Sequence, residues 1–407
     1  MKISIFDLSK INMINTENAY QNAKSLLQKA QSPNGFLAAI NDVANYKRIW
    51  ARDGVICGLA ALLDGDKDLV NTMKATLETL AAHQHELGNI PSNVDPKTGE
   101  VSFGGLAGRV DTLAWFVIGV CQYAHFTNDN DFFKTHKSAV YKCLKLMQAW
   151  EYNNGHLMYV PRSGNWADEY PTEGFILYDQ LLRLWAIRCV LHFEKHQNLL
   201  EKHNAIQEKI NINYKKQDKA ENLYHPNAYK QLEKLDYWVA SLEPAGYQTQ
   251  FDAFANSLLL MLNIGNIKDQ EKLLSYCKTL KEDLPLKSLP AFWPVITEGD
   301  KDWDLLTNNC KYEFRNHPYQ FHNGGTWPMV NGFYGISLCL QNDQKEALAV
   351  LEQINSLNAK ADWGFYENFD SNTQEPNGVQ YCTWSAAASV MLNQFLNGKQ
   401  WIGLKNL

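Results

Sequence analysis

The stretch Ser163–Asp179, S-G-N-W-A-D-E-Y-P-T-E-G-F-I-L-Y-D, contains a loop followed by a helical sequence, a pattern that recurs along the chain. A Gly-centred loop carries Trp166 and two adjacent acids, and an apolar helical sequence follows it. Pro171 suits the first turn of a helix, where its missing N–H costs nothing, so the helix is predicted to begin there or at the next residue. Asp168 and Glu169 are then expected at the mouth of a helix, beside an indole ring.

A loop followed by an apolar helix recurs along the 407-residue chain. Apolar residues spaced i, i+3, i+4, i+7 predict about twelve helices, whereas sustained strict alternation is hard to find. The predicted helices cover residues 17–31, 53–64, 67–87, 110–127, 131–150, 173–194, 200–213 with 226–238, 249–262, 267–282, 324–341, 343–357 and 381–397.

The predicted helices alternate in composition. Apolar helices rich in small residues, such as 112–123 and 383–396, neighbour more charged ones, such as 131–150. A double ring of six inner and six outer helices requires this alternation. An open solenoid of this length would normally show a repeat of fixed period, and the sequence shows none. We therefore predict an all-α fold, an (α/α)6 barrel in a single domain over residues 1–407, with residues 1–16 as an N-terminal extension.

The connections between the predicted helices differ in length. Short polar links at 63–68 and 127–131 are typical of tight turns. Long links rich in Gly and aromatic residues lie at 32–52, 88–109, 151–172, 240–248, 283–323 and 358–380. Long loops are usually functional or disordered, and the aromatic residues argue against disorder. Six such loops on one face of the barrel predict a cleft there.

Composition limits the possible partners. The chain has 12 Trp, 19 Tyr and 18 Phe, more aromatic residues than packing alone requires, and surplus aromatic residues often line ligand clefts. A formal net charge of −6, without a run of Lys or Arg, argues against a nucleic-acid partner. No apolar stretch reaches the roughly 18 residues that cross a membrane, and residues 1–10 do not resemble a signal peptide. The oligomeric state is left open.

The eight cysteines are scattered, without a C-x-x-C motif or a Cys/His cluster. Most lie in apolar helical stretches, as free thiols do in a reducing compartment. We therefore expect free buried thiols, no metal, no cofactor and a cytoplasmic location.

Two loops deliver charged residues to the start of an apolar helix. The loop ending in W-A-R-D-G carries Trp50, Arg52 and Asp53. Arg-Asp at a helix start can be a cap with a salt bridge. It can also grip sugar hydroxyls in a deep subsite, because a guanidinium and a carboxylate form directional hydrogen bonds. The loop 101–111 brings Asp111 to the next apolar helix, where it can equally be an N-cap.

Other loops combine acids with aromatic residues. Trp166 offers a stacking surface to the apolar face of a sugar ring, beside the two acids of its loop. The stretch 317–328, H-P-Y-Q-F-H-N-G-G-T-W-P, adds Trp327 as a second stacking surface and His322 as a ligand for hydroxyls. Glu367, in F-Y-E-N-F-D, is a carboxylate among aromatic side chains. Paired carboxylates with aromatic walls are typical of glycosidic bond cleavage, and no G-x-S-x-G, P-loop or H-E-x-x-H motif indicates other chemistry.

In this order the motifs resemble those of the alkaline/neutral invertases, glycoside hydrolase family 100. The similarity rests on A-R-D-G, G-R-V-D-T-L-A-W-F-V, N-W-A-D-E-Y-P-T-E-G-F, F-H-N-G-G-T-W-P and F-Y-E-N-F-D followed by Y-C-T-W-S-A-A-A, between about residues 30 and 395. The chain is similar, more distantly, to family 63 α-glucosidases, glucosyl- and mannosylglycerate hydrolases and glycogen-debranching glucosidase domains. The resemblance implies an inverting glycosidase with an (α/α)6 fold.

The resemblance also implies roles for individual residues. Asp168 would be the general acid and Glu367 the general base, with their carboxyl groups roughly 6.5–9.5 Å apart to admit a water. We expect dry aromatic surroundings to keep Asp168 protonated, and Glu367 to be ionised. The sugar site would be lined by Arg52, Asp53, Asp111, His322, Asn323, Trp327 and Trp384, joined by Trp50, Trp166 and Glu169 from the loops described above.

Two departures from the invertase motifs leave the leaving group open. The acid loop reads A-D-E-Y where invertases carry an I-D-R-R type sequence, and the base loop reads G-F-Y-E-N-F-D in place of W-P-E-Y-Y-D. The expected substrate is sucrose or a related small α-glucoside, and the alternative is an α-glucosidase of debranching or glucosylglycerate-hydrolase type. Glu169 is the rival acid. Two hypotheses from other classes are a sugar 2-epimerase, using histidines such as His83, His85, His317 and His322, and a sugar-binding protein without catalysis.

Overall fold

The computed structural model describes residues 16–310 and 312–404. Its helices, in chain order, are α1 (Thr16–Lys29), α2 (Ala51–Asp64), α3 (Lys67–Ala82), α4 (Asp111–Thr127), α5 (Asn130–Ala149), α6 (Leu177–Phe193), α7 (Gln197–Asn213), α8 (Pro226–Gln231), α9 (Ala253–Met261), α10 (Ile267–Asp283), α11 (Trp303–Asn308), α12 (Pro328–Leu340), α13 (Gln344–Asn358), α14 (Lys360–Trp363) and α15 (Thr383–Leu396). The predicted extension over residues 1–16 lies outside the described residues, except for Thr16, which begins α1.

Six of these helices form a closed inner ring in the order α2, α4, α6, α9, α12 and α15, and α15 packs against α2 to complete it. Outer helices pack on the ring: α3 on α2, α5 on α4, α7 on α6, α13 on α12 and α1 on α15. The predicted (α/α)6 barrel is confirmed.

The two rings follow from the composition of their helices. In α4 every residue from Asp111 to Ala124 is buried, because its apolar and small side chains face neighbours on all sides. The outer helix α3 buries one stripe only, at Leu69, Met73, Leu77 and Leu80 among others. An inner helix is therefore apolar all round, and an outer helix is amphipathic.

The links predicted as tight turns are confirmed. Gly65 ends α2 in a left-handed conformation, with φ +86°, and Asp66 caps α3 by accepting hydrogen bonds from the next turn. Asn128 ends α4 with φ +55°, and Asp129 caps α5. These turns lie at the C-terminal ends of the inner helices. The long loops therefore gather at the N-terminal ends, around one cleft.

Short strands occupy parts of the long loops. They are β1 (Gln31–Ser32), β2 (Gly35–Phe36), β3 (Ile49–Trp50), β4 (Asn93–Val94), β5 (Val101–Ser102), β6 (Phe175–Ile176), β7 (Val239–Glu243), β8 (Gly246–Asp252), β9 (Phe292–Trp293), β10 (Asn368–Phe369) and β11 (Pro376–Asn377). All pairs are antiparallel; β3, β4 and β5 form one sheet, and β6, β7, β8 and β9 form another.

The second sheet corrects three predictions. The helix predicted over 226–238 ends at Gln231, and the helix predicted over 249–262 begins at Ala253, because the chain between them forms the β7–β8 hairpin. The helix predicted to begin at Pro171 or Thr172 begins at Leu177 instead. Gly174, with φ +89°, turns the chain, and Phe175 and Ile176 then pair with β7.

Among the described residues, no helix is both long enough and apolar enough to cross a bilayer. The eight cysteines are free thiols, and all except the half-buried Cys310 are buried, as predicted.

Candidate active site

The floor of the cleft is built at the N-termini of α2 and α4. Arg52 Nη1 donates a hydrogen bond to Asp111 Oδ2 at 2.8 Å, and Arg52 Nε lies 4.0 Å from Asp53 Oδ2. The guanidinium also lies over the Trp384 ring, 5.5 Å from its centroid. Burial raises the pKa of Asp53 to about 6, although Arg52 opposes the shift. The structure thus brings these four predicted residues together.

Asp111 does not act as a helix cap, because the N-cap position of α4 is Val110 and makes no side-chain cap bond. Besides Arg52, its Oδ2 accepts a hydrogen bond from the hydroxyl of Tyr178 at 3.3 Å. Its Oδ1 is buried without a hydrogen-bond partner among the described residues. Asp111 therefore fixes Arg52 and leaves one oxygen free at the floor.

The acid loop forms one wall of the cleft. Arg109 forms a salt bridge with Asp168 and donates a second hydrogen bond to the carbonyl of Ser163 at 2.7 Å. Glu169 is held by Arg315, which donates from Nη2 at 2.8 Å and from Nε at 3.1 Å. Both rival acids of this loop are therefore ion-paired to an arginine.

The expectation that Asp168 is kept protonated is wrong for the ligand-free site. Burial raises the pKa of Asp168, but the positive charges of Arg109, Arg52 and Arg315 outweigh burial and hold it below its ordinary value. The sequence showed the aromatic neighbours of this acid but not the arginine that loop 101–111 brings to it.

The pKa of Glu367 is shifted in the opposite direction, upward. Its side chain is 3 % exposed, and burial raises its pKa to about 7. Glu367 Oε1 accepts a hydrogen bond from the hydroxyl of Tyr46 at 2.7 Å, whereas Oε2 receives only a long contact from the amide of Val379 at 3.4 Å. One carboxylate oxygen is thus fixed, and the other is available to a water or a substrate.

Aromatic rings form the rear wall. Trp327 stacks on His322 with ring centroids 5.0 Å apart and an interplanar angle of 7°. Trp166 meets both rings edge-on, and Trp384 meets Trp327 in a T-shaped contact at 5.7 Å. This wall unites four side chains from two loops and the first turn of α15.

His322 is neutral, because burial lowers its pKa to about 3. Both of its ring nitrogens are buried without a hydrogen-bond partner among the residues described, as are the indole nitrogens of Trp166 and Trp384. Buried polar groups normally have partners, so these four nitrogens are suited to ligand hydroxyls.

Two predicted sugar ligands have other contacts. Asn323 Nδ2 donates to the carbonyls of Ile296 and Asn316, and its Oδ1 accepts from the amide of Ile296 at 2.7 Å. Its amide is therefore engaged by the backbone and holds the loop, contrary to the prediction of a sugar contact. Trp50 is half-buried, and its indole N–H donates to the carbonyl of Asn45 at 3.0 Å.

Sequence reasoning missed Tyr46 and Arg315. Both lie in loops that were predicted to be functional, but Tyr46 is 321 residues from its partner Glu367, and Arg315 is 146 from Glu169. No local motif indicates such a pairing. The positive charge of Arg315 lowers the pKa of both Asp168 and Glu367, so this residue influences both carboxyls of the site.

The other histidines do not join His322 in the rear wall. His85 contacts Phe103, His83 bonds to the carbonyl of Thr79, and His317 is exposed and packs on Phe314. Within residues 16–310 and 312–404, no group of three or more His, Cys, Asp or Glu side chains is arranged to hold a metal ion.

Comparison with known proteins finds relatives among the invertases. A family model described as alkaline and neutral invertase matches residues 228–399. The protein is a glycoside hydrolase. The hydrolase is 21 % identical to a probable alkaline/neutral invertase A, chloroplastic, of Arabidopsis thaliana, over 92 % of this chain and 69 % of that relative. It is 22 % identical to neutral/alkaline invertase 3, chloroplastic, of Oryza sativa subsp. japonica, over 92 % and 72 %.

Solved structures share the barrel of this hydrolase. A GH63 mannosylglycerate hydrolase from Thermus thermophilus, in complex with Tris, superposes with a TM-score of 0.67 at 12 % identity, over 92 % of this chain and 100 % of that one. A bacterial glucoamylase complexed with acarbose gives 0.64 at 16 % identity, over 95 % and 57 %. At such identities the likeness establishes the fold alone.

Proposed function

We propose that this hydrolase cleaves a small α-glucoside, sucrose or a related di- or oligosaccharide, with inversion at the anomeric carbon. Asp168 is the general acid and Glu367 the general base. The observation that carries the proposal is the placement of two carboxyls on different loops around one aromatic-walled cleft, with the charge of Arg315 acting on both. A pair of carboxyls at one site is what inverting glycosidases use as general acid and general base.

Exposure supports the assignment of the two roles. The side chain of Asp168 is 30 % exposed, whereas Glu367 is buried. The leaving group has to depart toward solvent, so the acid that protonates it belongs on the open side. The attacking water belongs on the deep side, beside Glu367.

The sugar ring would lie on the floor of the cleft. Arg52 and Asp53 would bind its hydroxyls, and Trp384 and Trp327 would offer apolar surface to its carbons. Tyr46 holds Oε1 of Glu367, which leaves Oε2 to take a proton from the water. The water attacks the anomeric carbon, the glycosidic bond breaks, and the proton of Asp168 passes to the leaving oxygen.

In the ligand-free site the shifted pKa values of Asp168 and Glu367 favour a proton on Glu367, whereas the proposed mechanism needs it on Asp168. Between the lowered pKa of Asp168 and a pH of about 7, Glu367 holds the single proton of the pair. Hydrolysis requires that proton on Asp168, so substrate binding has to shift it from Glu367.

The test compares two variants on two leaving groups, sucrose and α-glucosyl fluoride, because fluoride departs without a proton. We expect Asp168→Asn to lose roughly 10³-fold in kcat/KM on sucrose and far less on the fluoride. Glu367→Gln should lose activity on both. Glu169→Gln provides the comparison for the rival acid, and its loss should not depend on the leaving group.

Equal losses of Asp168→Asn on both substrates would contradict its role as the acid. A leaving-group dependence confined to Glu169→Gln would transfer the role to Glu169. If wild-type protein hydrolysed isomaltose or glucosylglycerate but not sucrose, the alternative α-glucosidase specificity would replace the invertase-like one.

A further inference from the structure

The ion pair between Arg315 and Glu169 lies next to the proposed acid, nearer to solvent than the floor of the cleft. Arg315 is bidentate, with its two nitrogens 2.8 and 3.1 Å from the carboxylate oxygens. Its side chain is 39 % exposed and that of Glu169 is 17 % exposed, so the pair lies nearer to solvent than the buried floor. Glu169 directly follows the proposed acid Asp168. The pair therefore lies on the side toward which the leaving group departs.

Several contacts hold this pair in place. The Arg315 guanidinium lies over the Phe321 ring, 4.2 Å from its centroid. Asn316 Nδ2 donates to the backbone carbonyl of Glu169 at 2.9 Å, which ties the two loops together. A planar guanidinium held by a bidentate carboxylate and a ring is a fixed wall rather than a mobile surface charge.

The cations around the acid are already neutralised. The arginines whose charges act on Asp168 are Arg109, Arg52 and Arg315. Arg109 is paired with Asp168 itself, Arg52 with Asp111, and Arg315 with Glu169. With Asp168 ionised, as in the ligand-free site, an anionic leaving group would thus bring another negative charge next to two carboxylates, without an arginine free of its own partner among these three. Neutral hydroxyls can still hydrogen-bond to the outer edges of the pair.

We propose that Glu169, by holding Arg315, makes the leaving-group side of the cleft select neutral polyhydroxylated groups, such as a hexose or a polyol, over groups that carry a carboxylate or a phosphate. The inference rests on the proposed function for the glucosyl half of the substrate and adds the charge preference of the other half. Glu169 acts here as a specificity-determining residue, through Arg315.

The experiment uses two probes that differ in one group. In 2-O-α-glucosylglycerol the leaving group is neutral, and in 2-O-α-glucosylglycerate a carboxylate replaces one hydroxymethyl group. Binding is measured by calorimetry on Glu367→Gln protein, so that turnover does not interfere. We expect this protein to bind the neutral probe at least about tenfold more tightly, because like charges placed together oppose binding.

Adding Glu169→Gln frees the guanidinium of Arg315 and should abolish or reverse the preference. The matched control is Glu173→Gln in the same Glu367→Gln background. It breaks another arginine–glutamate pair of the same loop, Arg162–Glu173 at 2.7 Å, with side chains 32 % and 26 % exposed. Adding Arg315→Gln to the Glu169→Gln protein removes the freed positive charge, and the resulting protein should distinguish the two probes only weakly.

An unchanged preference after Glu169→Gln overturns the inference, as does an equal change after Glu173→Gln. Failure of both probes to bind Glu367→Gln protein contradicts the proposed glucoside specificity, and the inference falls with it. Thermal unfolding of each variant establishes that the proteins compared are folded.

Discussion

At the scale of single residues, Asp168 and Glu367 have similar chemistry and different surroundings. Arg109 lowers the pKa of Asp168, and burial raises that of Glu367 to about 7. Between the two values the pair holds one proton, which is the number that a general acid and a general base need between them. The site is thus prepared for acid–base chemistry over a defined range of pH.

The pH dependence of kcat/KM follows from that single proton. Glu367 releases the proton as the pH rises through about 7, and Asp168, with its lowered pKa, cannot retain it. We expect kcat/KM to fall about tenfold per pH unit above roughly pH 7, with a plateau on the acidic side. A pH–rate profile on the best substrate measures this. Activity that rose between pH 7 and 9 would show that the two pKa values are wrongly placed.

Gly378 lies against Glu367, the proposed base. Its φ is +74°, and an added Cβ would lie 2.4 Å from Glu367 Oε2, the oxygen that is free to take a proton. We expect Gly378→Ala to reduce kcat at least about tenfold, because a displaced base loses its alignment with the water. Steady-state kinetics on purified protein would detect the loss.

Gly99 provides the control for this substitution. Its φ is +72°, and nothing lies within 4 Å of an added Cβ. Gly99→Ala and Gly378→Ala should each lose about 1 kcal/mol of stability from the backbone conformation, but only Gly378→Ala should lose kcat. Equal kcat values in the two variants would refute the positioning of Glu367 by Gly378.

At the scale of elements, helix α6 holds the acid loop. Asn165 Nδ2 donates to Asp179 Oδ2 in the first turn of α6 at 2.9 Å, and Asn165 Oδ1 accepts from the amide of Ala167 at 3.0 Å. Burial raises the pKa of Asp179 well above its ordinary value, and the nearby Asp111 adds to the shift. Burial therefore favours the neutral form of Asp179, which acts as a hydrogen-bonding group.

Asp179→Asn should keep the bond to Asn165, and with it most of the activity. A carboxyl whose pKa is higher in the folded state takes up a proton on folding, so its contribution to stability falls as the pH rises above its unfolded pKa of about 4. The stability of the variant relative to the wild type should consequently increase from pH 4 to 8. Urea unfolding at several pH values measures the difference.

Asp179→Ala is the contrasting variant, since it removes the partner of Asn165. It should lose both stability and kcat, with about 1–3 kcal/mol from the unsatisfied Asn165 amide. If Asp179→Asn and Asp179→Ala behaved alike, the hydrogen bond would not be what holds the loop.

The sequence predicted the positions of the helices better than the contacts between segments that are distant in the chain. Helical periodicity located the six inner helices, because an apolar helix of the inner ring is marked along its whole length. The start of α6 was missed since Pro171 suits a helix start, whereas the pairing of Phe175 and Ile176 with β7 depends on residues 65 or more positions away. The alternation of Tyr247, Thr249 and Phe251 in β8 was a local signal that went unused.

In the candidate site, too, residues in local motifs were predicted, whereas contacts between distant loops were not. Arg52, Asp53, Asp111, Trp327 and Trp384 were predicted from motifs at the starts of inner helices, and the structure assembles them. The contacts of Arg109 and Arg315 with the acid loop and of Tyr46 with Glu367 were not predicted. Contacts between distant loops produce no periodic pattern in the sequence.

At the scale of the whole molecule, the segment after α15 closes the ring at the end opposite to the cleft. The carbonyl of Ile402 accepts hydrogen bonds from Gln122 at 2.9 Å and from Trp185 at 3.0 Å. The Trp401 ring is 4 % exposed and contacts Trp185, Phe333 and Phe395. One indole thereby joins three inner helices.

Trp401→Ala should destabilise the barrel by about 3–5 kcal/mol, as large-to-small substitutions of buried aromatic residues do. The folded fraction should retain its kcat, because the substitution lies at the far end from the cleft. Leu348→Ala, at an exposed position of α13, is the control and should change stability by less than about 0.5 kcal/mol. Comparable losses in the two variants, measured by urea unfolding, would exclude a closing role for Trp401.

The proposed mechanism depends on inversion at the anomeric carbon by two carboxyls of one barrel. Proton NMR, recorded from the first minutes of incubation with sucrose and other small α-glucosides, reads the stereochemistry of the released sugar directly. We predict that β-glucose appears first and that α-glucose follows only by mutarotation. Initial release of α-glucose would show retention and would contradict the roles given to Asp168 and Glu367.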